Sequence, residues 1–299
     1  MDTFKSGFVC IMGKPNVGKS TLLNQIVGEK IAITTNKPQT TRNTIKGIIT
    51  DDEAQIVFVD TPGIHRPKHK LGKIMNKNVD NTISDTDVVI MLIDASRKKS
   101  DQQLVIEKLR RIRVPIILAI NKVDMIKDKL ELLNIIEEYK NIFDFQAIIP
   151  ISAKTGDGVD SIIAEVKKYL PYGPKYFPDD SLSDTPRRVI AAEIIREKAL
   201  ILLAEEIPHG IAVEIEKMKQ REDKNIIDIS AIIYCERDSH KGIIIGKGGA
   251  MLKDIGRLAR NELEKSLESK VFLELWVKVK KNWRDSEKEL RRLDFNEEI

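Results

Sequence analysis

Two cysteines are all that the 299 residues contain, Cys10 and Cys235, one in each half of the chain and neither at a metal-ligand spacing. That scarcity argues against a disulfide framework or a zinc site and fits a reducing cytoplasm. No uninterrupted apolar run approaches the ~20 residues of a membrane-spanning helix. A soluble protein is expected, with peripheral contact at the inner face of the cell membrane left open. The opening residues run almost at once into an apolar strand, leaving no room for a signal or transit peptide. An excess of one charge is lacking too, since 50 basic residues stand against 46 acidic ones, and this near balance does not by itself announce a nucleic-acid partner. Repeats and low-complexity tracts are missing as well. What is present is 41% hydrophobic and 32% charged residues, a globular composition, on a chain about twice the commonest domain length. Two compact units are expected.

From Gly7 to about Leu170, short β-branched runs alternate with helical patterns, which predicts a mostly parallel sheet covered by helices on both faces. The strands are read at Phe8–Met12, Ile45–Ile49, Gln55–Val59, Val88–Ile93, Ile116–Ile120 and Ala147–Ile151, with helices following Lys19, Pro67, Asp101, Asp128 and Gly158. The short polar turn between the second and third strands predicts an antiparallel hairpin at a sheet edge. Residues 171–186, with Pro171, Pro174, Pro178 and Pro186, read as a stiff linker. Beyond it come a helix (Arg187–Glu206), two strands (Ile211–Lys217, Ile226–Cys235), two helices around Gly246–Gly249 and a last strand (Val271–Lys280). The expected domains are therefore 1–170, the linker 171–186, and 187–299.

Gly13-Lys14-Pro15-Asn16-Val17-Gly18-Lys19-Ser20 fits the phosphate-loop pattern between an apolar strand and an amphipathic helix, with Thr21 following. Its N–H groups and the helix N-terminus would face phosphates, Lys19 would reach the β- and γ-phosphates, and the Ser20 hydroxyl would bind Mg²⁺. Asp60-Thr61-Pro62-Gly63 closes the third strand: Asp60 would hold Mg²⁺ through water, and the Gly63 N–H would sense the γ-phosphate. Asn121-Lys122-Val123-Asp124 and Ser152-Ala153-Lys154 close two later strands at the same carboxyl edge. The Asp124 carboxylate can accept from both N1–H and the 2-amino group of guanine, whereas adenine lacks that amino group. Lys122 would cover one face of the base, Asn121 would tie this loop to the phosphate loop, and the Ala153 amide would donate to guanine O6.

With these motifs in order, residues 1 to about 170 resemble the translation-factor-like GTPases. Ile64 stands where Ras-like members carry the glutamine that orients water. The chain thus resembles the group with a hydrophobic residue there, in which several members hold K⁺ at the position of Asn16. That resemblance implies a slow, Mg²⁺-dependent, potassium-stimulated GTPase relying on Lys19, Thr41, Gly63 and Asn16. Thr41 resembles the switch threonine that completes the Mg²⁺ shell, with Thr40 as the alternative. His65 and His69, in a Lys-rich surface segment, are assigned no role.

Gly246-Lys247-Gly248-Gly249 leads into a helix carrying Lys253 and Arg257. In a KH module such a loop clamps about four nucleotides of single-stranded RNA; a plain helix-helix turn is the alternative. Nearly the whole chain resembles a bacterial family of small-subunit ribosome-assembly GTPases. The resemblance is carried by the motifs above, by Gln39–Arg42, Tyr172-Gly173-Pro174, Glu206-Ile207-Pro208-His209 and Leu275–Lys280. It implies an α/β P-loop GTPase domain with a mixed, mostly parallel sheet, followed by a smaller α+β KH domain of type II. It further implies GTP and GDP as ligands, the single-stranded 3′ region of 16S rRNA and the small ribosomal subunit as partners, and a monomer. Trp276 is expected in the core and Trp283 at the surface.

Overall fold

A computed structural model describes residues 3–37, 40–96, 103–203, 210–222, 225–293 and 295. The chain forms two compact units, one of Met1–Ala32, Thr41–Arg66 and Met75–Asp184, the other of Ile33–Thr40, Pro67–Ile74 and Thr185–Ile299.

The first unit is built on six strands: β1 (Lys5–Gly13), β2 (Ile45–Thr50), β3 (Ala54–Asp60), β4 (Val88–Asp94), β5 (Ile116–Asn121) and β6 (Ala147–Pro150). Their order is β2-β3-β1-β4-β5-β6, with only β2 antiparallel to its neighbour, so the expected edge hairpin is present. Every residue of β3, β4 and β5 is buried, as in parallel strands covered on both faces. One face packs Val9, Ile11, Phe58 and Ile90 against α1 (Lys19–Val27) and α5 (Val159–Tyr169). The other packs Cys10, Met12, Val89 and Met91 toward α2 (Lys70–Ser84), α3 (Gln103–Leu109) and α4 (Lys129–Lys140). Each such side chain fully removed from water contributes about 1.5–3 kcal/mol.

Residues 172–184, within the segment read as a stiff linker, pack against the sheet of the first unit. The fully buried Gln55 side chain accepts from the Tyr176 and Phe177 amides at 2.7 and 2.9 Å and donates to the Phe177 carbonyl at 2.8 Å. Along the edge strand, Ile48 N–H reaches the Leu182 carbonyl at 2.9 Å and Ser183 Oγ donates to the Lys46 carbonyl. The segment covers a sheet edge that would otherwise offer unpaired backbone groups.

The second unit follows the expected order, α6 (Arg187–Leu202), β7 (Ala212–Gln220), β8 (Ile226–Cys235), α7 (Asp238–Ile245), α8 (Ala250–Ser266) and β9 (Lys270–Val279), and adds a short helix that the sequence reading lacked, α9 (Glu287–Arg292). Strand β8 is central, antiparallel to β7 and parallel to β9. Gln39 and Glu206-Ile207-Pro208-His209 lie outside the described residues.

Both tryptophan expectations are reversed. Trp276 is 59% exposed, whereas Trp283 is fully buried, stacked on Phe295 and donating its Nε1–H to the Gly210 carbonyl at 3.0 Å. Along β9 it is Val271, Leu273, Leu275 and Val277 that join the core, so Phe272, Glu274, Trp276 and Lys278 occupy the opposite face. Trp283 sits in a 3₁₀ turn after the strand, where its N–H finds a buried partner.

Candidate functional site

The phosphate loop links β1 to α1. Gly18 has φ of 101°, a left-handed conformation, and a Cβ there would lie 2.2 Å from the Asn121 amide nitrogen, so both the turn and the approach require glycine. Helix α1 has no side-chain cap and no acidic residue in its first turn, which leaves its N-terminal amides directed at the loop. Lys19 is buried and donates to the Lys14 carbonyl at 3.0 Å and the Gly13 carbonyl at 3.4 Å. Burial pushes its ammonium below the ordinary range against the pull of Asp60. Beneath it, burial pushes the Cys10 thiol up to about 12, which makes Cys10 a packing residue rather than a nucleophile.

Three oxygen-bearing side chains from separate segments converge here. Ser20 Oγ donates to Asp60 Oδ2 at 2.6 Å and lies 2.8 Å from Thr41 Oγ1, which in turn donates to Asp60 Oδ2 at 3.3 Å. Asp60 is fully buried, its Oδ1 has no partner among the described residues, and burial raises its pKa despite Lys19, Ser20 and Thr41. Thr40 does not reach this cluster; its hydroxyl meets Thr35 and the Lys37 carbonyl in the second unit. Thr61 Oγ1 bonds the Ile11 carbonyl, and the Ile64 N–H bonds the Gly13 carbonyl at 3.0 Å. Gly63 packs so closely on Pro15 that a Cβ would lie 2.6 Å from the Pro15 nitrogen. Ile64 is buried in the core, and His65 Nδ1 lies 2.8 Å from the Gly63 carbonyl.

At the other end of the same sheet edge, Asn121 Nδ2 donates to the Val17 carbonyl at 2.7 Å, tying the two loops as expected. Its Oδ1 accepts the Ala153 N–H at 2.9 Å, so that amide is already engaged and a base oxygen would have to share it. Asp124 is exposed, its carboxylate open to a ligand, as is Lys154, while Ser152 is buried. Pro62 and Thr21 flank the cluster within the same segments. Two residues were not singled out in the sequence. Asp94, closing β4, accepts from Lys122 Nζ at 2.7 Å, and Lys122 Nζ also donates to the Asn16 carbonyl at 3.1 Å. Asn24 accepts the Ile31 and Ala32 amides and donates to the Ala32 carbonyl, anchoring the chain that leads toward Thr41. Only the position of Asp94, at the end of an apolar strand beside Asn121, offered a signal.

In the second unit, Gly246 has φ of 73° and a Cβ there would sit 2.7 Å from Met251 Cβ, so the turn between α7 and α8 demands glycine. Gly248 and Gly249 also have positive φ, and Lys247 is exposed. Beside this loop lies a groove of about 510 Å³ lined by Leu252, Leu273 and Leu275, with Lys253, Arg257 and Arg260 along it. Arg260, one helical turn beyond Arg257, extends the basic edge that the sequence reading ended at Arg257.

A family model described as a 50S ribosome-binding GTPase matches residues 8–122, and a KH-domain model matches residues 206–284. The chain is 54% identical to GTPase Era of Clostridioides difficile (strain 630) over 295 residues, 98% of this chain and 99% of that protein. It is also 54% identical to GTPase Era of Ruminiclostridium cellulolyticum, over 98% of each chain. A crystal structure of Era in complex with MgGDPNP and nucleotides 1506–1542 of 16S ribosomal RNA matches with a TM-score of 0.93 at 41% identity, covering 98% of this chain and 99% of that one. A substituted Aquifex aeolicus Era bound to GDP·AlF4⁻ matches with a TM-score of 0.94, also at 41% identity and over the same shares of the two chains. Relatedness of that extent spans both units, and the chain belongs to the Era family of GTPases.

Proposed function

We propose that this GTPase is a Mg²⁺-dependent, potassium-stimulated switch whose second unit binds the single-stranded 3′ region of 16S rRNA and that it acts in the cytoplasm during small-subunit assembly. The observation that carries the hydrolytic part is the convergence of Ser20, Thr41 and Asp60. Two hydroxyls and a carboxylate with an unpartnered buried oxygen form a hard-oxygen donor set suited to Mg²⁺. Bound there, the ion supplies positive charge to the β- and γ-phosphate oxygens.

Phosphoryl transfer needs little covalent help from a protein, so positioning and charge dominate. Lys19 brings its ammonium to the β- and γ-phosphates, and the Gly13–Thr21 backbone cradles them with N–H groups. The Gly63 N–H reads the γ-phosphate, because the close packing of Gly63 on Pro15 holds that amide beside the phosphate loop. Buried Ile64 cannot orient water. Additional positive charge is therefore needed where a glutamine or arginine acts in other GTPases, and Asn16 offers a neutral amide oxygen that suits K⁺. Asp124, Lys122, Asn121, Ser152, Ala153 and Lys154 select and hold guanine.

For RNA, the apolar floor of the groove can receive bases while Lys247, Lys253, Arg257 and Arg260 neutralise phosphates. The bound rRNA segment of the related Era structure supports this reading. Single-turnover hydrolysis in equal KCl or NaCl, with and without a single-stranded oligonucleotide of the 16S 3′ end, tests it. Faster turnover in potassium is expected, with loss of turnover on removal of Mg²⁺. Equal rates in the two salts, or an Asn16→Ala variant with an undiminished cation response, would overturn the potassium assignment.

A further inference from the structure

We propose that Asp94 is a positioning residue that fixes Lys122 in its base-covering place before the nucleotide arrives. The inference rests on the reading of Lys122 just given and adds the group that sets it. Asp94 is only 3% exposed, and each of its oxygens is occupied. Oδ2 accepts from Lys122 Nζ at 2.7 Å, while Oδ1 accepts from Ser96 N–H at 3.0 Å and Ser96 Oγ at 2.7 Å. Burial alone would raise its pKa, yet the Lys122 hydrogen bond and charge, together with Ser96, hold it below the ordinary carboxylate range. It is therefore an anion at neutral pH, and a buried carboxylate persists only when so paired.

Lys122 is constrained from three sides. Its backbone has φ of 68°, a left-handed conformation uncommon for a residue other than glycine. Its side chain bridges Asp94 and the Asn16 carbonyl, and its neighbour Asn121 pairs in register with Asp94. The Ala95 N–H, next to Asp94, bonds the Asn121 carbonyl at 2.9 Å. The ends of β4 and β5 and the phosphate loop are thus joined through one ammonium group. A free lysine has large rotamer freedom, and restricting it in advance removes an ordering cost from nucleotide binding. Because Asp94 acts on the base side, its contribution should be the same for GDP and GTP.

The test measures GDP and GTP affinities, dissociation rates and kcat for Asp94→Asn, Lys122→Met and the double variant. Asp94→Asn should weaken both nucleotides by about tenfold, the scale of a lost charge-assisted hydrogen bond, through faster dissociation. kcat at saturation should stay within about twofold, the pattern of a uniform binding contribution. In the Lys122→Met background the same substitution should have no further effect, which a general structural role for Asp94 would not produce. Asp94→Glu keeps the charge and should recover part of the loss, and it serves as the charge-retaining arm if Asp94→Asn folds poorly. Additive losses, unequal factors for GDP and GTP, or no recovery with glutamate would overturn the proposal alone. A Lys122→Met variant with wild-type affinity would overturn the reading of the site and the proposal with it.

Discussion

Asp124 stands exposed at the end of β5, in a 3₁₀ turn held by the Val123 N–H on the Ile151 carbonyl at 3.2 Å. An acceptor-only carboxylate in that place prefers a base edge that presents two donors, and an amide prefers one that presents a donor and an acceptor. Asp124→Asn should therefore move preference from guanine toward xanthine nucleotides, measured by competition between GDP and XDP. A site that pairs polar groups can reject the wrong base by ~10⁴-fold, so unchanged guanine selectivity would remove Asp124 from the site. At this scale, the residues legible in the sequence were those in contiguous motifs at strand ends, and Ser20, Asp60, Asn121 and Lys122 are brought to one sheet edge. Thr41 was preferred over Thr40 by resemblance, and the structure gives the geometry behind it: the Thr41 hydroxyl meets Ser20 and Asp60, whereas that of Thr40 meets Thr35 and the Lys37 carbonyl. Asp94 left almost no trace, since its partner Lys122 lies just past the end of another strand and one aspartate after an apolar run forms no motif. The engagement of the Ala153 amide by Asn121 was likewise invisible.

Among elements, the strands were readable because β-branched runs bounded by turn residues leave few other choices, and the edge hairpin followed from its short polar turn. Strand β9 marks the limit. Its alternation is plain in the sequence, but two apolar sets compete, Val271, Leu273, Leu275 and Val277 against Phe272 and Trp276. Which set turns inward depends on the face of β9 that α8 and α7 cover, a tertiary fact. The packing of the Pro-rich segment was hidden for a similar reason: Gln55 gave no sign that it would hold Tyr176 and Phe177 against the sheet. The loop between α7 and α8 permits a clean test, because nothing lies within 4 Å of a Cβ at Gly248, and aspartate tolerates its φ of 60° better than most residues. Lys247→Asp with Gly248→Asp should abolish binding of single-stranded RNA while GTP affinity stays unchanged, measured by filter binding. Wild-type affinity should also fall steeply between low and moderate salt, as counterion release demands. Retained affinity in the double variant would reduce the loop to a turn.

In the whole molecule, the chain passes between the two units on either side of the phosphate site. Ile33–Thr40 and Pro67–Ile74 belong to the second unit, yet they immediately precede Thr41 and closely follow Gly63, the residues assigned to Mg²⁺ and the γ-phosphate. Within the second unit, the Thr34 N–H donates to Glu197 Oε1 at 2.9 Å, and Arg196 donates to the Thr40 carbonyl. Both α6 side chains are about 1% exposed, so they are costly to leave without partners. The Lys70 N–H, in turn, bonds Asp285 Oδ1 at 2.9 Å. Thr41 and Gly63 are thus joined through the chain to segments held by the unit that carries the RNA groove, a covalent route by which the two sites could be coupled. Coupling requires the two nucleotide states to differ in RNA affinity, because a ligand that binds both states equally shifts nothing. Reciprocity then makes the factor by which GTP changes RNA affinity equal to the factor by which RNA changes GTP affinity. Couplings of about 1–3 kcal/mol are typical, so RNA titrations in GDP and in a non-hydrolysable GTP analogue should differ by roughly 5- to 150-fold. Glu197→Gln keeps the shape of the Thr34 contact but weakens its charge, and it should shrink that ratio while leaving RNA affinity in GDP nearly unchanged. Identical dissociation constants in the two nucleotide states would mean two independent modules on one chain, with hydrolysis serving some other partner.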